Sequence, residues 1–313
     1  MPRRIEVVFL GTGAAVPTLE RYTSSILIRD WHGRMFLLDA GEGVQRRIME
    51  IGMSINDIDY IMLTHSHGDH INGVAGLLQS MSLQGRRRPI TIVGSEDSVF
   101  FVRDVLEAEK QLLGYEVLYL TISNGAIFGE TILDSKSGDK LVLSWYKTCH
   151  TKDSYGFVLK WLMRPRVVGY IENISPLDWR RLIKTMQTKH GYTQFKISYT
   201  GDTKPCPTIV EASKETSLLI HDSTFTSEYS KEAHDRGHST SIDAARAATE
   251  ANVNILVLTH ISSRYRGFEA HRLLEEARRI FPKTILARDK MRLLFEPPIR
   301  EVDLSQTKAF LEQ

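Results

Sequence analysis

Only two cysteines, Cys149 and Cys206, occur in the 313 residues. That is too few for a disulfide framework and agrees with a reducing, cytoplasmic setting. No stretch approaches the roughly 20 apolar residues that a membrane helix needs. The basic start MPRRIEVVFLGTG carries a short apolar run that ends in glycine, which reads as a first strand and not as a signal peptide. Charge of one sign is not in excess: 40 Lys and Arg face 38 Asp and Glu, a net +2 that makes no global argument for nucleic acid. Low-complexity tracts, long linkers and short repeats are missing. Gly11-Thr12-Gly13 runs on to Val16, so it is not a dinucleotide-binding G-x-G-x-x-G loop. No G-x-S-x-G elbow is present, which disfavours a serine hydrolase. What remains, 42% hydrophobic and 25% charged residues, describes an ordinary soluble globular chain with ample material for a core.

What does recur is a short apolar run ending in a polar turn. RMFLLDAGEG places Asp39 after a strand, and IDYIMLTHSHGDH places His65 after another. LVLSWYKTCH ends in His150, FKISYTGD in Asp202, SLLIHDST in His221 and Asp222, and NILVLTH in His260. Each run has the composition of a buried strand, and polar groups at strand ends suit an enzyme built on a rigid sheet. GVAGLLQSM, SVFFVRDVLEAEKQLLGY, DAARAATEAN and FEAHRLLEEARRIF have helical spacing, with Thr240 or Ser241 able to cap the third. Strands AIFGETILD and DKLVLSWYK look antiparallel. The expectation is a layered α/β fold with its sheets sandwiched between helices.

Residues 160–196 differ from the rest. Eight Lys or Arg stand against Glu172 and Asp178, a local +6 that leaves −4 for the remainder. Within them SPLDWRRLIKTMQ predicts a helix capped by Ser175 with Pro176 first, and Trp161, Tyr170, Trp179 and Tyr192 add aromatics. Arg86–Arg88 form a second basic run.

The strongest signal is His65-Ser66-His67-Gly68-Asp69-His70, three of the chain's 11 histidines within six residues. Imidazole and carboxylate are the ligands of a catalytic zinc site. One tight turn can give His65 and His67 to one metal and Asp69 and His70 to a neighbour. Two metals about 3.5–4 Å apart suit in-line attack at phosphorus. Mixed His/Asp ligands favour zinc and tolerate manganese.

HSHGDH after an apolar strand resembles the H-x-H-x-D-H signature of the metallo-β-lactamase fold, an αββα sandwich of two mixed sheets flanked by helices. The resemblance runs from Gly11 to about Phe295 and implies a single domain over 1–313. By similarity, one zinc would take His65, His67, His150 and a bridging Asp202; the other would take Asp69, His70, Asp202 and His260. Asp39 would support the turn. FLGTGAAVPTLERYTSSI, LLDAGEGVQRRI, HDSTF, GHST and THISSRY resemble the corresponding stretches of the ribonuclease Z family. That resemblance implies a two-zinc endoribonuclease acting on precursor tRNA. It would hydrolyse the phosphodiester after the discriminator nucleotide, leaving a tRNA 3′-OH and a trailer 5′-phosphate. Asp69 would orient the attacking water, and Asp222 and His238 would assist departure. A cytoplasmic homodimer is implied as well. The chain departs from the family in reading HDST for HEAT, and in having Leu19 and Tyr22 where lysine and asparagine are usual. It also lacks the glycine-proline arm, for which 160–196 is the candidate replacement. The rivals are a metallo-β-lactamase-fold hydrolase of small phosphodiesters or aryl sulfates, and a non-catalytic RNA-binding protein.

Overall fold

The computed structural model describes residues 3–108, 113–136, 138–168, 175–298 and 300–303. The apolar runs form strands where the sequence places them. They are β1 (Ile5–Gly11), β2 (Ser25–Arg29), β3 (Met35–Leu38), β4 (Ile58–Met62), β5 (Ile90–Ser95), β6 (Val117–Ile122), β7 (Phe128–Lys136) and β8 (Asp139–Lys147). There follow β9 (Tyr155–Met163), β10 (Arg166–Val168), β11 (Thr193–Tyr199), β12 (Leu218–Asp222), β13 (Leu256–Thr259), β14 (Thr284–Leu286), β15 (Arg292–Phe295) and β16 (Glu301–Asp303). The helices are α1 (Val44–Glu50), α2 (Gly68–Ile71), α3 (Val74–Leu83), α4 (Glu96–Ala108), α5 (Pro176–His190), α6 (Pro207–Ala212), α7 (Ser230–Asp235), α8 (Ser241–Glu250) and α9 (His271–Arg278).

Two seven-stranded sheets result, ordered β15-β1-β2-β3-β4-β5-β6 and β14-β13-β12-β11-β9-β8-β7. Each is half antiparallel and half parallel. In the first, β3 through β6 run parallel; in the second, β11 through β14 do. Alternation along the strands sends one set of side chains between the sheets and the other outward. Phe9, Ile28 and Phe36 thus meet Leu143, Phe157, Trp161 and Ile197 in a central core. On the outer face of the first sheet, Val8, Leu27 and Leu37 pack with Val44, Ile48, Leu77 and Val102 of α1, α3 and α4. On the second, Leu219 and Leu258 pack with Ala244, Ala248 and Leu273 of α8 and α9. This is the expected αββα sandwich, with a helical layer over each sheet.

Local signals hold with two adjustments. Thr240 caps α8 in a reciprocal capping box with Asp243, and Ser175 caps α5 with Pro176 in its first turn. The helix read from SVFFVRDV onward reaches Ala108, and residues 109–112 lie outside the described residues. FEAHRLLEEARRIF opens as a 3₁₀ turn, Gly267–Ala270, before α9. In 160–196, Tyr170 and Glu172 also lie outside the described residues. Trp179, Leu182 and Met186 of α5 pack on Val167 and Val302 of the small parallel pair β10–β16, leaving Arg180, Arg181 and Lys184 on the outward side of the helix. The second basic run is otherwise employed. Arg86 is buried and donates to the carbonyls of Arg88, Asn56 and Pro89, and Arg88 pairs with Asp59.

The two sheets are pinned together by aromatics. Phe36 of β3 stacks on Tyr60 at 5.3 Å and meets the edge of Trp161 at 6.2 Å, while Trp161 Nε1 donates to Asp30 Oδ2. Replacing Phe36 with alanine leaves a cavity at this junction. The variant is expected to lose about 3–5 kcal/mol of stability, read as a lowered midpoint in urea unfolding with an unchanged slope.

Candidate metal centre

Strand ends of both sheets converge on one place, most of them from the parallel halves and one from β8 of the antiparallel half. The turn after β4 delivers His65, His67, Asp69 and His70; the loop after β8 delivers His150; the turn after β11 delivers Asp202; and β13 delivers His260. Two of these turns depend on glycine. Gly201, before Asp202, has φ +59°, and a Cβ there would stand 2.7 Å from Thr64. Gly41 of the DAGEG stretch lies under the histidine-rich turn, where a Cβ would come within 2.6 Å of the Asp69 carbonyl oxygen.

All seven residues expected as ligands are brought together. His65, His67, His150 and Asp202 form one cluster and Asp69, His70, Asp202 and His260 a second, with the ligand atoms of each within 4.8 Å of one another. Asp202 belongs to both. A third grouping joins Asp202 and His260 to Asp222 and His238.

The outward nitrogens of the histidines decide what the inward ones are. His70 Nδ1 donates to Asp39 Oδ2 at 2.8 Å. His150 Nδ1 donates to the Gly237 carbonyl at 2.9 Å. Thr64 gives its hydroxyl proton to Asp39 and so accepts from His65 Nδ1 at 3.0 Å. Thr224 gives its own to Asp222 and accepts from His260 Nδ1 at 2.9 Å. In each imidazole the proton is therefore on Nδ1 and the Nε2 lone pair faces the cluster. There it meets other acceptors. His70 Nε2 and His260 Nε2 both lie 3.2 Å from Asp202 Oδ1, and His65 Nε2 lies 3.8 Å from Asp202 Oδ2. Among the described residues, the buried atoms His65 Nε2, His70 Nε2 and Asp202 Oδ1 have no hydrogen-bond partner. Buried lone pairs converging on one another are unstable unless a cation lies among them. The donor set fits divalent metal ions of the zinc class.

Charge follows the same logic. Burial opposes ionisation of Asp69 and Asp202, yet the histidines around them hold both carboxyls well below the usual range. Burial pushes His65 well down. In His70 burial acts in the same sense, but Asp202, Asp39 and Asp69 outweigh it and raise the group well above its ordinary value. A metal must displace that proton, so metal affinity falls as pH falls.

Beside the clusters, Asp222 Oδ2 accepts from His238 Nδ1 at 2.9 Å and from the Thr203 N–H, and Oδ1 accepts from Thr224. The shorter acid of HDST therefore reaches its histidine, and its oxygens are engaged by protein donors. Burial lowers His238, but the charge and hydrogen bond of Asp222 prevail and raise it to about 9. His221, grouped with these residues in the sequence, faces away: its Nδ1 bonds the Asp222 carbonyl, and it lines a separate cleft with Asp243 and Arg246. The residues that sequence reasoning gave no role are Thr64, Thr224, Tyr199 (donating to Asp39 at 2.8 Å) and the Gly237 carbonyl. Thr64 adjoins the histidine-rich turn, Thr224 lies within HDSTF and Gly237 opens GHST, which is the one signal that could have found them; Tyr199 carries none.

Fold and site together define a metallo-β-lactamase-fold protein. A ribonuclease Z of Aeropyrum pernix is 43% identical over 309 residues, covering 93% of this chain and 98% of its own length. One from Saccharolobus islandicus is 36% identical over 301 residues, with coverages of 91% and 97%. The crystal structure of the short form of human tRNase Z superposes with a TM-score of 0.69 at 27% identity, covering 94% of this chain and all of that one. The chain belongs to the ribonuclease Z family. A family model described as anti-Pycsar protein Apyc1 also matches residues 5–241, a span that stops short of His260, whereas the ribonuclease Z relatives cover nearly the whole chain.

Asp39 holds both Thr64 and His70, so its replacement should be felt at the metals. Asp39→Asn, which tolerates the positive φ of 55° at this position, is expected to weaken metal binding about 10- to 100-fold. Competition with a chromophoric chelator would measure it.

Proposed function

We propose that this chain is a two-zinc endoribonuclease that removes the 3′ trailer from precursor tRNA. The observation that carries the reading is the convergence of ligand atoms from seven residues on two adjoining clusters that share Asp202, in a chain of the ribonuclease Z family. His65, His67, His150 and Asp202 would hold one ion, and Asp69, His70, Asp202 and His260 the other. When bound, two such ions supply Lewis acidity toward a phosphate and acidify water.

The chain's own groups supply the rest. Asp69 accepts a hydrogen bond from the attacking water, whose proton is given up to solvent, and orients the water's lone pair toward phosphorus. The bond from phosphorus to the 3′ oxygen breaks, leaving a tRNA 3′-OH and a trailer 5′-phosphate. His238 donates the proton that the 3′ oxygen takes up, and Asp222 fixes its tautomer and favours its protonated form. The Asp222 carboxylate raises His238 to about 9, so the imidazole carries the proton it is to give at neutral pH.

The basic face of α5, with Arg180, Arg181 and Lys184 outward, serves as the arm that meets the tRNA backbone. Residues 1–313 act as one domain with 160–196 as its insert. The enzyme works as a cytoplasmic homodimer. Its two cysteines are free, and among the described residues no helix is long and apolar enough to cross a membrane.

The test is cleavage of a 3′-extended precursor tRNA with the product end mapped. A cut after the discriminator nucleotide is expected, slowed by about 10²–10⁴ in both Asp69→Ala and His238→Ala. An intact precursor beside turnover of bis(p-nitrophenyl) phosphate or p-nitrophenyl sulfate would instead establish the small-substrate reading.

The pH profile provides a second check. Loss of the His238 proton ends its role as acid, so kcat falls as pH rises through that group's pKa. Asp222→Asn removes the charge that raises it, and the alkaline limb is expected to move to lower pH.

A further inference from the structure

The residues from Thr12 to Tyr22 form a loop whose middle touches the metal centre and whose two ends meet on one carboxylate far along the chain. Asp289 Oδ1 accepts from the Thr12 hydroxyl at 2.7 Å, and its Oδ2 accepts from the Tyr22 N–H at 2.8 Å and from Arg47 Nη2 at 3.0 Å. Arg21 Nη1 completes the knot, donating to Thr12 Oγ1 at 2.6 Å and to the Ala287 carbonyl at 2.8 Å. The Asp289 side chain is 8% exposed and that of Arg47 7%, a depth at which charge-assisted hydrogen bonds are strong. The segment carrying Asp289 is itself fixed. Phe9 N–H donates to the Met291 carbonyl, and Lys290 N–H donates to the carbonyl of Phe9.

Between these anchored ends, Ala14 N–H binds the Ile261 carbonyl, one residue after His260. Ala15 then adopts φ 55°, a left-handed conformation that a residue with a Cβ rarely takes. Its N–H donates to Asp69 Oδ2 at 2.8 Å. That oxygen also faces His260 Nε2 at 3.3 Å and His70 Nε2 at 3.4 Å. The bond from Ala15 therefore sets the rotation of a cluster carboxylate and draws electron density from the oxygen it offers. A non-glycine residue stays left-handed only where its surroundings hold it there; here the Ala14 N–H is fixed on Ile261 and the two ends of the loop are fixed on Asp289.

We infer that Asp289 is a positioning residue for the metal centre, acting through the Thr12–Tyr22 loop and the Ala15 N–H to orient Asp69 within its cluster. The inference rests on the reading of these clusters as metal sites. An asparagine at 289 keeps the size but turns an NH₂ toward one of the three donors that converge there. The loop then cannot close on both ends, and Ala15 is released from Asp69.

Cobalt(II) titration of the metal-stripped full-length protein, followed by its visible ligand-field absorption, tests this without recourse to cleavage. The wild type is expected to bind two ions. Asp289→Asn should weaken one of them about 10-fold and alter the spectrum, and Thr12→Val should do the same to a smaller degree. Glu50→Gln, which breaks the neighbouring pairs with Arg47 and Lys290 and leaves the loop ends alone, should behave as wild type. Folded Asp289→Asn protein, checked by near-ultraviolet circular dichroism, that matches the wild type in both affinities and spectrum overturns the inference. If Asp289→Asn does not fold, an unchanged Thr12→Val overturns it. A wild type that takes up no cobalt removes the reading of the clusters together with this one.

Discussion

Lone pairs crowd into one buried volume, and the rest of the molecule is arranged to hold them there. Four imidazoles present Nε2 inward because Asp39, Thr64, Thr224 and the Gly237 carbonyl take up their other nitrogens. Two carboxylates stand behind most of these supports. Thr64 and His70 both answer to Asp39, and Thr224 and His238 both answer to Asp222. Each buried acid thus orients one histidine directly and another through a threonine hydroxyl. Removing either would loosen two corners of the site at once. This shared support explains why acids outside the seven-residue ligand set lie so deep in the protein.

The αββα frame makes such an arrangement possible. Parallel strands deliver successive carboxyl ends to one edge, and each sheet contributes a parallel half to the same edge. The antiparallel halves, β15–β1–β2–β3 and β7–β8–β9–β11, supply rigidity and the long central core, and β8 adds His150 at its end. Because side chains alternate along a strand, neighbouring residues can serve opposite purposes. His221 faces the helical layer while Asp222 faces the metal centre.

Much of this arrangement is legible in the amino-acid sequence. HSHGDH concentrates ligands in a turn and needs no long-range information, and the strand-end positions of His150, Asp202 and His260 follow from apolar runs with a clear stop. Caps at Ser175 and Thr240 are local chemistry and lie where expected. The parts that are not legible depend on distance in space. Tyr199 reaches Asp39 across 160 residues of sequence, and nothing in the composition of β11 announces it. Arg86 looks like a phosphate contact in a run of three arginines, yet it is buried against backbone carbonyls, a fate that charge counting cannot see. The basic helix α5 lies where its serine cap and proline put it. Its apolar face, however, packs on Val302 near the other end of the chain, a pairing no window of neighbouring residues contains.

The pairing of the first strand with nearly the last has its own consequence. Ile5 lies opposite Phe295 in the β1–β15 ladder, and the clusters draw on residues from 65 to 260. During synthesis the first sheet lacks this edge partner until β15 has been made, and the second cluster lacks a ligand until His260, just past β13, has emerged. Contacts so distant in sequence are made late in folding. A nuclease centre that draws its last ligand from His260 cannot be complete until most of the chain has been made.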